Sequence, residues 1–179
     1  MKPKEPICKS CGDTFVRYNT IQRLCVKCAI EKVKQGKDKA HRKELKEGRE
    51  RLKTKSDWLR EAQGVFNAYI RLRDKDKPCI SCGTHKWTIQ YHAGHFLTVK
   101  AHQELGFCED NCHKQCSSCN SHLSGNIVRY RQNLIQKISR ERVEGIEGPH
   151  EAKHYTIPDI QAIKAEYRQK AKELSDERG

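Results

Sequence analysis

Apolar residues recur at helical spacing in three stretches of the chain and almost vanish from a fourth. From 56 to 73, Trp58, Ala62, Val65, Phe66, Tyr69 and Ile70 fall on one face and predict an amphipathic helix. Ser56 is its expected cap, because a hydroxyl oxygen there can accept a free backbone N–H. Pro78 lies beyond its end and cannot continue it. Residues 127–147 predict a second helix that buries Ile127, Val128, Tyr130, Leu134, Ile135 and Ile138. Residues 158–175 predict a third, starting near Thr156 and Pro158, with Ile160, Ile163, Tyr167, Ala171 and Leu174 on one side. Gly145, Gly148 and Pro149 interrupt the chain between these two. From 32 to 55 only Val33, Leu45 and Leu52 are bulky and apolar, so this stretch reads as solvated helix or flexible linker. Extended pattern is scarce: Phe15, Val16 and Tyr18 suggest one short strand, and Trp87 to Phe96 another. The expected architecture is α+β and mostly helical. Its expected segments are 1–31, a basic stretch 32–55, and a main domain 56–179.

Composition narrows the class. Only 35% of the 179 residues are hydrophobic, which cannot fill a large core. Charged residues reach 33% against about 25% in ordinary chains. No run of about 18 apolar residues exists, so no membrane helix is expected. No apolar stretch follows Met1, so no secretory signal is expected and the compartment is the cytoplasm. The net charge of +13 calls for a polyanionic partner, with nucleic acid first. An anionic membrane fits less well, because the basic stretches lack an apolar face. Eleven Lys or Arg lie between 32 and 55. Candidate phosphate contacts are Lys32, Lys34, Lys39, Arg42, Lys43, Lys114, Arg129 and Arg131.

The cysteines supply the first specific chemistry. Eight of ten form Cys-x-x-Cys pairs: Cys8 with Cys11, Cys25 with Cys28, Cys79 with Cys82, and Cys116 with Cys119. A reducing compartment disfavours disulfides. Two residues between thiolates let both reach one tetrahedral zinc ion. The first two pairs predict a small zinc ribbon whose folding energy comes from the metal. The last two predict a second structural zinc site tying a knuckle before a strand to a knuckle opening a helix. Cys108 and Cys112 are expected as buried thiols, with a variant zinc ligand set using Cys112 as the alternative.

Between the second site's pairs stand His92, Ala93, Gly94 and His95, then Asn111 five residues before Cys116, with Asn120 and His122 after Cys119. This order resembles the HNH, or ββα-metal, nucleases. The resemblance implies a zinc-stapled ββα-metal core. It makes His95 the general base, Asn111 the residue whose carbonyl orients that imidazole, and Asn120 a ligand of a catalytic divalent ion. His92 and His122 are the other candidate ligands, for Mg2+ or Mn2+. A neutral imidazole can take a proton from water near neutral pH. A divalent ion can contact both the scissile phosphate and the leaving oxygen. Two departures stand out: Gly94 precedes His95 where an acid is usual, and Leu123 replaces a frequent lysine.

The strings Ala93-Gly94-His95-Phe96, His113-Lys114-Gln115-Cys116, Cys119-Asn120, Ser124-Gly125-Asn126 and Tyr130-Arg131 further resemble the phage NinG (Rap) family. So do Cys79-Ile80-Ser81-Cys82-Gly83 and the late Ile163-Lys164-Ala165-Glu166-Tyr167. That resemblance implies a phage-encoded endonuclease cutting Holliday junctions and D-loops in the bacterial host. Symmetric resolution needs two active sites, which favours a homodimer. The other reading from the same features is a non-catalytic zinc-finger DNA-binding accessory protein with a degenerate HNH unit.

Overall fold

The computed structural model describes residues 5–177. The outermost residues of the expected first and third segments, 1–4 and 178–179, lie outside that range. The chain divides into two compact units, one ending at Lys53 and the other beginning at Thr54.

The first unit holds the ribbon and a long helix. Ile7 pairs with Thr14 in a single antiparallel bridge. Gly12, at φ +80°, turns the chain between them. The strand expected at 15–18 does not form: Phe15 is buried, but Val16 and Tyr18 point to solvent. Helix α1 runs Val26–Arg51, and its N-cap is Cys25, whose sulfur accepts from the Cys28 N–H. The helix therefore starts inside the ribbon and crosses the expected boundary at 31/32. No residue of α1 is buried. The basic stretch is a helix with a solvated surface.

The second unit comprises α2 (Lys55–Arg73), β1 (Tyr91–His95), β2 (Cys112–Cys116), a π-helical turn (Ser118–His122), α3 (Ile127–Ile138), α4 (Arg140–Glu147) and α5 (Ile157–Asp176). The cap of α2 is Thr54 rather than Ser56, because Asp57 at the third helical position completes a capping box with it. Thr156 and Asp159 repeat the device on α5. The helix expected over 127–147 is two helices, broken at Ser139 with φ +83°. Ile127 and Val128 are exposed, contrary to expectation, because α3 turns Tyr130 and Leu134 inward instead.

β1 and β2 pair antiparallel, with Tyr91 opposite Cys116, Gly94 opposite His113 and His95 opposite Cys112. The strand is shorter than the 87–96 expected. Side chains alternate between faces, so Ala93 and His95 share a face with Cys112 and Lys114. Phe66, Tyr69 and Ile70 of α2 and Tyr167 of α5 pack around Cys112 and Ala93 there. Across the sheet, Tyr130 and Leu134 of α3 join Phe96, Leu105 and Val143 in a second cluster. The Tyr130 hydroxyl donates to Gly94 O at 2.8 Å. A two-stranded sheet thus lies between two helical layers, a mixed and mostly helical α+β fold. No helix among the described residues is long and apolar enough to cross a membrane.

Asp74, at the end of α2, ties the layers together. It is 1% exposed and accepts from Arg73 at 2.9 Å, Lys137 at 3.4 Å and the Lys114 N–H at 3.1 Å. His113 lies beside it. The His113 Nδ1 can either donate to Asp74 or accept from Arg73 and Lys137, which lie at 2.7 and 2.9 Å. Burial pushes His113 below its ordinary pKa, against the opposing contact with Asp74. Burial alone would raise the Asp74 pKa, but its bonds and the charges of Arg73 and Lys137 hold it well below the carboxylate range. The folded carboxyl binds its proton less readily than the unfolded one. Its stabilisation is therefore full above pH 4 and is lost as pH falls further. Asp74→Asn should cost about 3 kcal/mol at neutral pH, because it leaves partly buried cations unpaired. Urea melts of both proteins at pH 7 and pH 3 check this, and the difference should shrink at the lower pH.

Candidate functional site

Two cysteine quartets are in place. Cys8, Cys11, Cys25 and Cys28 form one, and Cys79, Cys82, Cys116 and Cys119 the other, with all sulfurs of a quartet within 4.8 Å of one another. A tetrahedral zinc with bonds of about 2.3 Å sets its sulfurs about 3.8 Å apart. The Cys11–Cys25 and Cys82–Cys116 separations are 3.8 and 3.7 Å. Backbone N–H groups point at the sulfurs: Cys25 N–H at Cys8, Cys116 N–H at Cys79, and Cys119 N–H at Cys116. Such bonds favour thiolates. The N–H groups of Cys11 and Cys25 lower Cys8 to about 6. Burial and then the adjoining Cys82 and Cys116 thiols push Cys119 up to about 12, a crowding of negative charge that a dication would relieve. Both quartets can hold zinc. Gly83, at φ +73°, turns the second knuckle, as Gly12 turns the first.

His95 ends β1 on the face toward α2. Its Nε2 lies 3.2 Å from Gly106 O, and a carbonyl only accepts, so Nε2 carries the hydrogen. The Gln63 amide lies 3.5 Å from the same nitrogen. Nδ1 then carries the lone pair, and the Cys112 thiol approaches it at 3.6 Å. The ring leans on Phe66, with centroids 6.0 Å apart. Burial lowers the His95 pKa below its ordinary value, against the opposing bond to Gly106, so the imidazole is neutral at pH 7. Burial pushes the Cys112 thiol far up, so it stays protonated.

Asn111 has a different task from the one expected. Its carbonyl accepts from the Leu97 N–H at 2.8 Å, and its amide donates to Leu97 O and Leu105 O. A fully buried amide spends its capacity where backbone would otherwise be unpaired. Asn111 thereby pins the loop whose next residue, Gly106, holds His95. It acts on the imidazole through Gly106 and makes no bond to it.

The other candidates lie elsewhere. His92 points to the α3 face, opposite His95, by strand alternation. Asn120 is half-buried in the π turn, and His122 is exposed at its end. Among the described residues, the two cysteine quartets are the groups of three or more His, Cys, Asp or Glu that could hold an ion. Gly94 has a steric reason to lack the usual acid: a Cβ there would run into the Gln115 side chain. Lys32, Lys34, Lys39, Arg42 and Lys43 are exposed along α1, and Arg129 is exposed on α3. Arg131 is paired with Glu147 at 2.6 Å. Lys114 is buried, and its ammonium donates to Lys75 O.

A cleft of about 300 Å³ opens beside the His95 partners. Gln63 and Gly106 form part of its wall, and Lys55, Lys100 and Lys153 supply positive charge. Sequence patterning gives no signal for Gln63 or Gly106, which meet His95 across 32 and 11 residues.

The geometry defines a basic, mixed α+β protein stapled by two zinc-type quartets. The chain belongs to the family described as Bacteriophage Lambda NinG protein, whose model matches residues 1–177. It is 45% identical to the ninG protein of Escherichia phage 933W, over 99% of this chain and 97% of that one. It is 50% identical to those of Escherichia phage lambda and Salmonella phage P22, over 71% of this chain and 62% of each relative. No solved structure matches it.

Proposed function

We propose that this NinG-family chain is an HNH-type, metal-dependent endonuclease that cleaves branched DNA in the cytoplasm of the bacterial host. One observation carries the reading: a neutral imidazole, His95, ends β1 and is held there by Gln63 and Gly106, which form part of the wall of a lysine-bearing cleft. The cleft lysines offer charge to a phosphodiester. The His95 lone pair at Nδ1 meets only the weak S–H donor of Cys112. That ring would accept the proton of the attacking water. Asn111 and Gly106 fix its tautomer.

The reading includes a divalent ion that would polarise the scissile phosphate. The donors expected for it are His92, Asn120 and His122. Two imidazoles and one amide suit Mn2+ better than Mg2+, which prefers oxygen. These three do not converge in this structure, so no chemical step is assigned through the ion. The deciding experiment is incubation of purified protein with a labelled four-way junction, with Mn2+ or Mg2+ and with EDTA. Cleavage with metal and none with EDTA is expected. No nicking under either condition removes the nuclease reading. Paired cuts on opposite strands would require two copies of the chain, which sedimentation of the complex would reveal.

One observation favours a second reading, a non-catalytic DNA-binding accessory protein. His95 has a partner on each nitrogen and Asn111 is fully spent on backbone, as in a satisfied core. Junction binding without cleavage would establish it.

In either reading α1 adds affinity without sequence preference. It exposes many lysines and arginines and buries no residue of its own. Removing residues 1–53 should weaken duplex binding. It should also flatten the log–log salt dependence by about 0.9 per lost phosphate contact. An unchanged slope would make α1 a spacer.

A further inference from the structure

Trp87 is 94% exposed, at odds with its residue type, which is highly buried on average. It stands in a loop held at both ends. Behind it, Cys79 N–H bonds Thr84 O at 2.8 Å and the Tyr91 hydroxyl reaches the same carbonyl. Ahead of it, Ser117 N–H bonds Gln90 O at 2.9 Å. The indole is thus presented from a fixed frame between a zinc knuckle and β1. Beside it runs a groove of about 320 Å³ lined by Arg71, Lys75, Lys86, Tyr91 and Lys114. No carboxylate lines it among the described residues. The Lys114 ammonium sits 4.3 Å above the Tyr91 ring, which fixes that second aromatic face.

An aromatic platform flanked by cations is the arrangement that binds single-stranded nucleic acid: bases stack on the ring and phosphates meet the charges. We propose that this groove holds an unpaired DNA base stacked on Trp87, with the adjoining phosphates against Arg71, Lys75 and Lys86. Bases inside an intact duplex have no free face, whereas strands at a branch do. The inference rests on the reading that the protein binds branched DNA, and it names the feature of the branch that is read. Stacking is tolerant of sequence, because every base has a π-face.

Binding is to be measured in EDTA, so that cleavage plays no part, with three labelled DNAs. They are an oligothymidine, a four-way junction with unpaired thymines at its centre, and a fully paired duplex. The oligothymidine should quench the indole fluorescence of Trp87, while the buried Trp58 gives a constant background. Trp87→Ala should abolish the quench and weaken binding to the first two DNAs by about 5- to 150-fold. Its affinity for duplex should stay the same, and Trp87→Phe should restore part of the loss. Replacing Lys75 and Lys86 with alanine should flatten the salt dependence of single-strand binding by about 0.7 per lost contact. Unchanged oligothymidine affinity in Trp87→Ala, or an equal loss for all three DNAs, overturns the inference and leaves the branched-DNA reading standing. Failure of the unmodified protein to bind any of the three overturns both.

Discussion

Cys116→Ala is expected to unfold the unit that begins at Thr54, while Cys8→Ala leaves that unit folded. Cys116 ends β2 opposite Tyr91 and shares its quartet with the 79–82 knuckle and the π turn. Its backbone N–H also donates to the Cys79 sulfur. The quartet therefore joins three segments, and among the described residues the partly buried hydrophobics packed against its cysteines are Ile89 and Tyr91. A structural zinc contributes about 10–16 kcal/mol in small zinc domains. A whole domain is stable by about 5–15 kcal/mol. Losing one thiolate forfeits enough of the first quantity to exhaust the second. Metal analysis should fall from about two zinc ions per chain to about one in either variant. Thermal melting followed by near-ultraviolet dichroism should lose its cooperative transition only in Cys116→Ala. A wild-type melt in that variant would remove the thiol from the metal site.

Some of this was legible in the chain for physical reasons. The quartets are local spacing plus the geometry of a tetrahedral ion, so four Cys-x-x-Cys pairs carry the information whole. Helices α2 and α5 were legible because their apolar stripes keep a helical period over many turns. Their caps were harder. Thr54 and Ser56 are both hydroxyls, and only the position of Asp57 three residues after Thr54 decides between them. The break at Ser139 was missed, because the apolar stripe continues past it into α4, where Val143 and Ile146 are buried. His95 was marked by its sequence context, but its environment was not. Gln63, Gly106 and Cys112 reach it from an adjoining helix, a loop and the paired strand, contacts that no periodicity encodes. Gly94 shows the converse: the departure from an acid–histidine pair was visible at once, and its cause, the Gln115 side chain lying against it, only in three dimensions.

His95→Gln is expected to lower junction cleavage by about 10²- to 10⁴-fold and leave junction affinity nearly unchanged, since removing a general base affects the transition state and not phosphate binding. Glutamine is the informative replacement. Its amide can still donate to Gly106 O and fill the space against Phe66, so the packing around β1 survives, whereas alanine would leave a void there. Activity should also carry the signature of the buried imidazole. Burial lowers the His95 pKa below 6.5, so the base is free above that value. The cleavage rate should rise through the acid range and level off by neutral pH. The same shift means that the unfolded chain takes up this proton more readily than the folded one. Stability should therefore decline as pH falls below 6.5, and this contribution should vanish in His95→Gln. The stability effect belongs to any buried neutral histidine, and the rate profile only to one that takes a proton in the reaction. A His95→Gln variant that loses the pH-dependent stability but cleaves at the wild-type rate would make His95 a core residue. It would move the base to another group, with His92 examined first.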